Sequence, residues 1–172
     1  MTGVMATRHS AGILLFRRTG EGEVEFLLVH PGGPFWRRKD QGAWTIPKGQ
    51  IEDEEEARAG AIRELEEELG KAPPLDPEQL IELGSIRQRA GKVVEAWATE
   101  AEFDPAHLDS NTFSMEWPPR SGGQQEFPEV DKAEWFGLEA ARKKILPAQA
   151  ELLDRLLERL ESADGERSVP ER

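Results

Sequence analysis

Apolar positions fall along this chain in two arrangements, short unbroken runs and stripes at helical spacing. Residues 10–18 and 24–30 are strand-sized runs, and Thr19-Gly20-Glu21-Gly22-Glu23 between them reads as a turn, so an antiparallel hairpin is predicted. His30-Pro31-Gly32-Gly33-Pro34 then breaks regular structure, and Trp44-Thr45-Ile46 is expected as a short strand stopped by Pro47. The clearest helix is expected over 54–69. Asp53 is placed to cap it, with Glu56 three residues on as the capping-box partner. Ala61, Ile62, Leu65 and Leu69 give it an apolar stripe, Gly70 suits its end, and Pro73-Pro74 prevents continuation.

Strands are expected over 80–87 and 92–103 around a turn at Ala90-Gly91, and 111–125, rich in Pro, Gly and Ser, reads as a long loop. A last strand over 132–136, a short helix over 138–144 and a final helix opened by Pro147 complete the pattern. Leu152, Leu153, Leu156, Leu157 and Leu160 share one face of that final helix, which fits packing on a sheet or a contact with a second copy, so monomer and homodimer both stay open. Strands on either side of a central helix imply an α/β (α+β) class, a mixed sheet with helices on its faces. One domain is expected over 8–162, with flexible tails at 1–7 and 163–172.

Composition narrows the partners. The 172 residues suffice for one domain with a real core, and the formal net charge is −12. Such an acidic excess disfavours a long nucleic-acid backbone as partner, while a small anionic substrate held by a few local cations or a metal remains compatible. There is no Cys, which removes disulfides, thiolate metal sites and a thiol nucleophile. No apolar run reaches bilayer-spanning length and the N-terminus carries no apolar signal core, so no membrane partner and a cytoplasmic location are expected.

The candidate chemistry lies on the central helix. Positions three and four apart share a helix face, so Glu64, Glu67 and Glu68 project to one side, beside the apolar stripe. Three carboxylates this close repel one another. Either they splay into water as an ordinary charged face, or a hard divalent cation joins them. The three His residues, His9, His30 and His107, are scattered and read as structural or surface groups, and Trp135 and Phe136 read as core.

The wider stretch 49–71, GQIEDEEEARAGAIRELEEELGK, resembles the Nudix box. Gly49, Glu55, Arg63, Glu64, Leu65, Glu67, Glu68 and Gly70 all stand at the family's spacing, and only Lys71 departs, where an apolar residue is usual. The WTIPKG lead-in at 44–49 and EVDKAEWF at 129–136 extend the likeness. The resemblance implies a Nudix-like α/β/α sandwich around a mixed sheet. It also implies Mg2+ as cofactor, with Mn2+ as an alternative, held by Glu64, Glu67 and Glu68 together with the backbone carbonyl of Lys48. The catalytic carboxylates it implies are Glu64 and Glu67, with a proton acceptor at Glu64, at Glu129 six residues before Trp135, or at Glu126 as the fallback. Gly49, Glu55 and Arg63 are implied to be structural, Arg63 orienting a carboxylate such as Glu55.

For substrate, Lys48 in its Pro47-Lys48-Gly49 setting resembles the diadenosine and diphosphoinositol polyphosphate branches. Arg37, Arg38 and Lys39 form the densest basic cluster and follow Phe35 and Trp36, so they read either as a solvated surface loop or as a phosphate clamp beside base-stacking rings. Trp117, Pro118, Pro119 and Arg120 are expected in a substrate lid or a disordered loop. The activity implied is Mg2+-dependent hydrolysis of a phosphoanhydride bond in a nucleoside diphosphate derivative, such as a dinucleoside polyphosphate. The alternative is a catalytically silent module of the same fold that binds nucleotides. A third class, a calcium-binding or simply acidic helical protein, does not account for the box, and no EF-hand loop is present in the sequence.

Overall fold

The computed structural model describes residues 9–168. The two apolar runs form β1 (His9–Arg18) and β2 (Val24–Pro31), paired antiparallel as expected. β1 is buried on both faces: Leu14 and Phe16 point to one side, Ile13 and Leu15 to the other. That is the signature of a central strand covered twice. β1 also runs parallel to β5 (Val93–Glu100), which pairs antiparallel with β4 (Ile81–Arg87). β2 pairs antiparallel with β8 (Val130–Gly137). The six-stranded mixed sheet has the order β4-β5-β1-β2-β8, and the short β3 (Lys48–Gln50) pairs with β1 off this path.

Helix α1 (Ala57–Leu69) covers one face through Ala61, Leu65 and Leu69, packed with Ile13, Leu15, Leu27 and Val29. On the other face α2 (Leu138–Lys144) and α3 (Ala150–Ser168) pack Ala141, Leu152, Leu153, Leu156 and Leu160 against Leu14, Phe16, Phe26 and Leu28. The expected α/β/α sandwich is therefore present. The leucine face of α3 is consumed by the sheet. Among the described residues no helix is long and apolar enough to cross a membrane.

Four local expectations are corrected. Residues 54–56 are not helical: Glu54 takes a left-handed φ of 65°, α1 starts after Glu56, and no side chain caps it. Residues 44–46 make only isolated bridges, Thr45 to Val29 and Trp44 to Ile145. The stretch 111–125 is not a bare loop, because β6 (Thr112–Glu116) and β7 (Gln124–Pro128) pair antiparallel as a two-stranded hairpin. Finally, Pro147–Gln149 forms a 3-10 turn before α3, and α3 then continues to Ser168, through positions expected to be tail. The expected tail at 1–7 lies outside the described residues.

Candidate active site

The site grows from the junction of β1, β3 and α1. β3 hangs on β1 through the register Gly12 to Lys48, Ala11 to Gly49 and Ser10 to Gln50. Gly49 then lies directly under α1. A Cβ there would fall 1.8 Å from Glu64 Oε2, so only glycine lets that carboxylate lie against the backbone. Glu64 is 8% exposed as a result, and burial raises its pKa. One turn on, Glu68 Oε1 accepts the Lys48 backbone N–H at 3.1 Å.

Arg63 ties the start of this region together. Its Nε and Nη2 donate to Glu55 Oε2 and Oε1 at 2.7 and 2.8 Å, a two-point pairing that suits a planar guanidinium. Its Nη1 donates to Glu64 Oε1 at 2.9 Å and Glu67 Oε2 at 3.1 Å, and Nη2 also reaches the Gln50 carbonyl at 3.2 Å. Glu55 Oε1 accepts the Glu52 N–H at 3.0 Å. The Arg63 guanidinium, with that N–H, holds the Glu55 carboxyl down at about 2. The side chain read as lying inside the helix thus belongs to the preceding turn and acts on Arg63.

The C-terminal end of α1 is sealed by a segment the sequence did not single out. Asp109 N donates to Leu69 O at 3.0 Å and Asn111 N to Glu67 O at 2.9 Å. Gly70 has φ 86°, and a Cβ there would come 2.4 Å from Asp109 O. With the helix end closed this way, the exposed Lys71 has no apolar contact to supply. The same segment fixes Glu129, whose N–H donates to Asn111 O at 2.8 Å and whose carbonyl accepts Gly32 N–H at 2.9 Å. Glu129 is thereby brought towards α1. Its carboxyl is raised first by burial and then by the neighbouring Glu67. Glu126 is not brought in: it stands exposed on β7 and hydrogen-bonds Thr112.

Between these walls opens a cleft of about 590 Å³, lined on its polar side by Lys48, Glu68, Glu129, Gln88, Arg89 and Lys92. Burial pushes the Lys48 ammonium down, and the nearby Lys92 charge adds to this. Burial pushes Glu68 up, against the pull of Lys48. Trp36 lines the apolar side, with Val29 and the 146–148 segment. Of the expected basic cluster, Arg37 and Arg38 are exposed and outside this lining, and Lys39 rests its Nζ 5.1 Å from the Trp36 ring centre. Trp117 packs edge-on against Phe35, with ring centres 5.7 Å apart, which places the hairpin tip against the Trp36 loop. His30 is buried and bridges the Lys39 carbonyl at 2.6 Å and Asp131 at 2.7 Å.

Sequence reasoning missed Arg89, Lys92 and Gln88. They flank the Ala90-Gly91 turn, and only the pairing of β4 with β5 beside β1 carries that turn to the cleft. A basic pair around a turn in an acidic chain was the available signal.

The donor chemistry fits a hard divalent cation. Glu64, Glu68 and Glu129 are all raised, and neighbouring carboxylates contribute to each. Such a group is relieved by a cation bound through oxygens. Among the described residues no three acidic groups already converge on one point, and the Arg63 guanidinium bridges Glu64 and Glu67.

Comparison with known proteins bears on the whole of this arrangement. The family model described as NUDIX domain matches residues 6–156. A curated relative, Nudix hydrolase 5 of Arabidopsis thaliana, is 28% identical over 132 residues, 76% of this chain and 37% of that protein. An RNA pyrophosphohydrolase of Alkalilimnicola ehrlichii is 44% identical over 52 residues, 29% of each chain. The chain therefore spans roughly a third of the length of these curated relatives. Among solved structures, a C. elegans Ap4A hydrolase binary complex superposes with a TM-score of 0.60 at 24% identity, covering 89% of this chain and 98% of that one, a likeness of fold.

Proposed function

The chain belongs to the NUDIX domain family, and from that premise we propose that it is a divalent-metal-dependent pyrophosphohydrolase acting on a nucleoside diphosphate derivative. The observation that carries this reading is one cleft where raised carboxylates, Glu68 and Glu129, face Lys48, Arg89 and Lys92, with Glu64 and Glu67 on the same helix end. Acidic groups suit a cation, and the cations suit a phosphate chain.

In the reaction, a water oxygen bonds to phosphorus as the bridging anhydride P–O bond breaks, and the leaving phosphate takes the bond's electron pair. Glu64, Glu67 and Glu68 would hold Mg2+, or Mn2+ in its place, with the Lys48 carbonyl. That ion supplies charge neutralisation at the phosphate oxygens and a more acidic bound water. Glu129 takes the water's proton, since its carboxylate is on the cleft and its raised pKa makes it a better base than an ordinary Glu. Glu64 is the alternative acceptor: burial raises its pKa as well, partly offset by the bond from Arg63, which also occupies its Oε1. Lys48, Arg89 and Lys92 draw in and orient the phosphates, and Trp36 offers a ring face for a base. Glu55 and Arg63 hold the carboxylates in place.

Three cations along one cleft favour a long polyphosphate chain, in keeping with the Pro47-Lys48-Gly49 lead-in and with dinucleoside polyphosphates as substrates. The experiment is turnover of a panel of dinucleoside polyphosphates, nucleotide sugars, ADP-ribose and nucleoside triphosphates, with Mg2+ and with chelator. Release of nucleotide only with Mg2+ is expected. Tight binding with no release across the panel would instead establish the silent nucleotide-binding module.

A further inference from the structure

The β4–β5 turn contributes an uncharged group to the cleft whose orientation is fixed from inside the protein. Gln149 is fully buried in the 3-10 turn before α3. Its Oε1 accepts the Ile46 N–H at 3.0 Å, and its Nε2 donates to Gln88 Oε1 at 3.1 Å. A backbone N–H can only donate, so the Gln149 atom facing Ile46 is the oxygen. Its nitrogen therefore faces Gln88, which must answer with its own oxygen. The polarity of the Gln88 amide is thus set by a main-chain donor two links away. Its backbone is fixed as well, because Gln88 N donates to Lys92 O at 2.7 Å. The Nε2 of Gln88 is left over. Among the described residues no hydrogen bond takes it, and Gln88 is half-buried on the cleft.

We infer that Gln88 is a specificity-determining residue that donates from Nε2 to an acceptor, a ring nitrogen or a carbonyl, on the edge of a substrate nucleobase, with Gln149 as the positioning residue that keeps this donor turned outward. The inference rests on the reading of this cleft as a nucleotide site. The phosphates have Lys48, Arg89 and Lys92 to meet them. An uncharged amide sharing the cleft with Trp36, Leu146 and Pro147 fits a flat, largely apolar ring with a polar edge. A group that can only donate also discriminates. A base edge that turns an amine towards it leaves two donors opposed and both without a partner, and such mismatches reject a ligand more strongly than a missing apolar contact does.

The test is calorimetric titration of the full chain with GMP, AMP, UMP and CMP, with ribose 5-phosphate as the baseless control. These ligands contain no anhydride, so binding is read separately from hydrolysis. At least one nucleotide is expected to bind more tightly than ribose 5-phosphate. Q88M is expected to weaken that nucleotide about tenfold, the size of one buried hydrogen bond, and to leave ribose 5-phosphate unchanged. Q88E, which turns an acceptor towards the base, is expected to lower the nucleotide-to-control ratio further. Q149L, which frees the Gln88 amide to rotate, is expected to narrow the spread among the four bases. Equal weakening of the control by Q88M would make Gln88 a phosphate contact and overturn the inference, as would an unchanged ratio in Q88E. So would a wild type that prefers no nucleotide over the control. If Q149L does not fold, the two Gln88 variants decide. Preserved base binding with no turnover of any anhydride counts against the proposed hydrolysis and leaves this inference standing.

Discussion

Glu67 and Glu55 have the same side chain and opposite tasks. Glu67 lies in the last turn of α1, where among the described residues its ion-pair partner is Arg63, and its charge helps raise Glu129. Replacing it by Gln keeps the volume and removes the charge. E67Q is expected to lower kcat at least about 100-fold, more than the loss of an outer partner of a metal ligand. Its unfolding free energy should stay within about 0.5 kcal/mol of wild type. Full activity in E67Q would refute its metal role. Glu55 faces away from the cleft and serves Arg63. Its folded pKa of about 2 lies below its ordinary value of 4.5. A depressed carboxylate stabilises the fold above its unfolded pKa, and that contribution drains away as pH falls through the folded value. E55Q should therefore be less stable than wild type at neutral pH, with the difference closing between pH 4.5 and about 2. Thermal melts across that range test it, and a gap that persists at pH 2 would mean that the ionised pair with Arg63 is not its source.

At the scale of elements, the helix that carries the candidate metal ligands is firmly anchored in the core. Leu65 and Leu69 are fully buried against β1, while Glu64, Glu67 and Glu68 occupy the adjoining face. L65A is expected to cost roughly 2–5 kcal/mol, the range for emptying a buried leucine site, read from denaturant unfolding. A loss under 1 kcal/mol would mean that α1 is not held by this packing. The stripe of α1 was legible because both its period and its Gly70 stop are local properties. The β1–β2 hairpin was legible for the same reason, two apolar runs around a turn. The β6–β7 hairpin was not, since Pro and Gly at its tip masked the alternation Thr112, Phe113, Ser114, Met115, Glu116, and its pairing partner Phe127 lies beyond the tip. β3 has no apolar residue at all and exists because β1 offers it a backbone edge. The expected Asp53 cap failed because Glu55 turns back to Arg63 and to the Glu52 N–H, which bends the chain before the helix can start.

At the scale of the molecule, the sheet order decides what meets what. The parallel pairing of β1 with β5 carries the Arg89 and Lys92 turn to one side of the cleft, and β2 with β8 carries Glu129 to the other. Spacing along the chain could place three acids on one helix, but it could not place Lys92 beside Lys48 or Gln149 behind Gln88. Nor could it choose between the two readings of Arg37 and Arg38, which are exposed and do not line the cleft. The acidic balance of −12 makes those few inward-facing cations count, because elsewhere the field repels anions. The reaction proposed for this cleft is water attacking phosphorus beside a bound cation. The direct measurement is mass analysis of products formed in ¹⁸O-labelled water with Mg2+, on whichever panel substrate turns over. One labelled oxygen on a phosphate of a single product, formed only when Mg2+ is present, is the predicted result. Unlabelled phosphate, or an equal rate in chelator, would contradict the account.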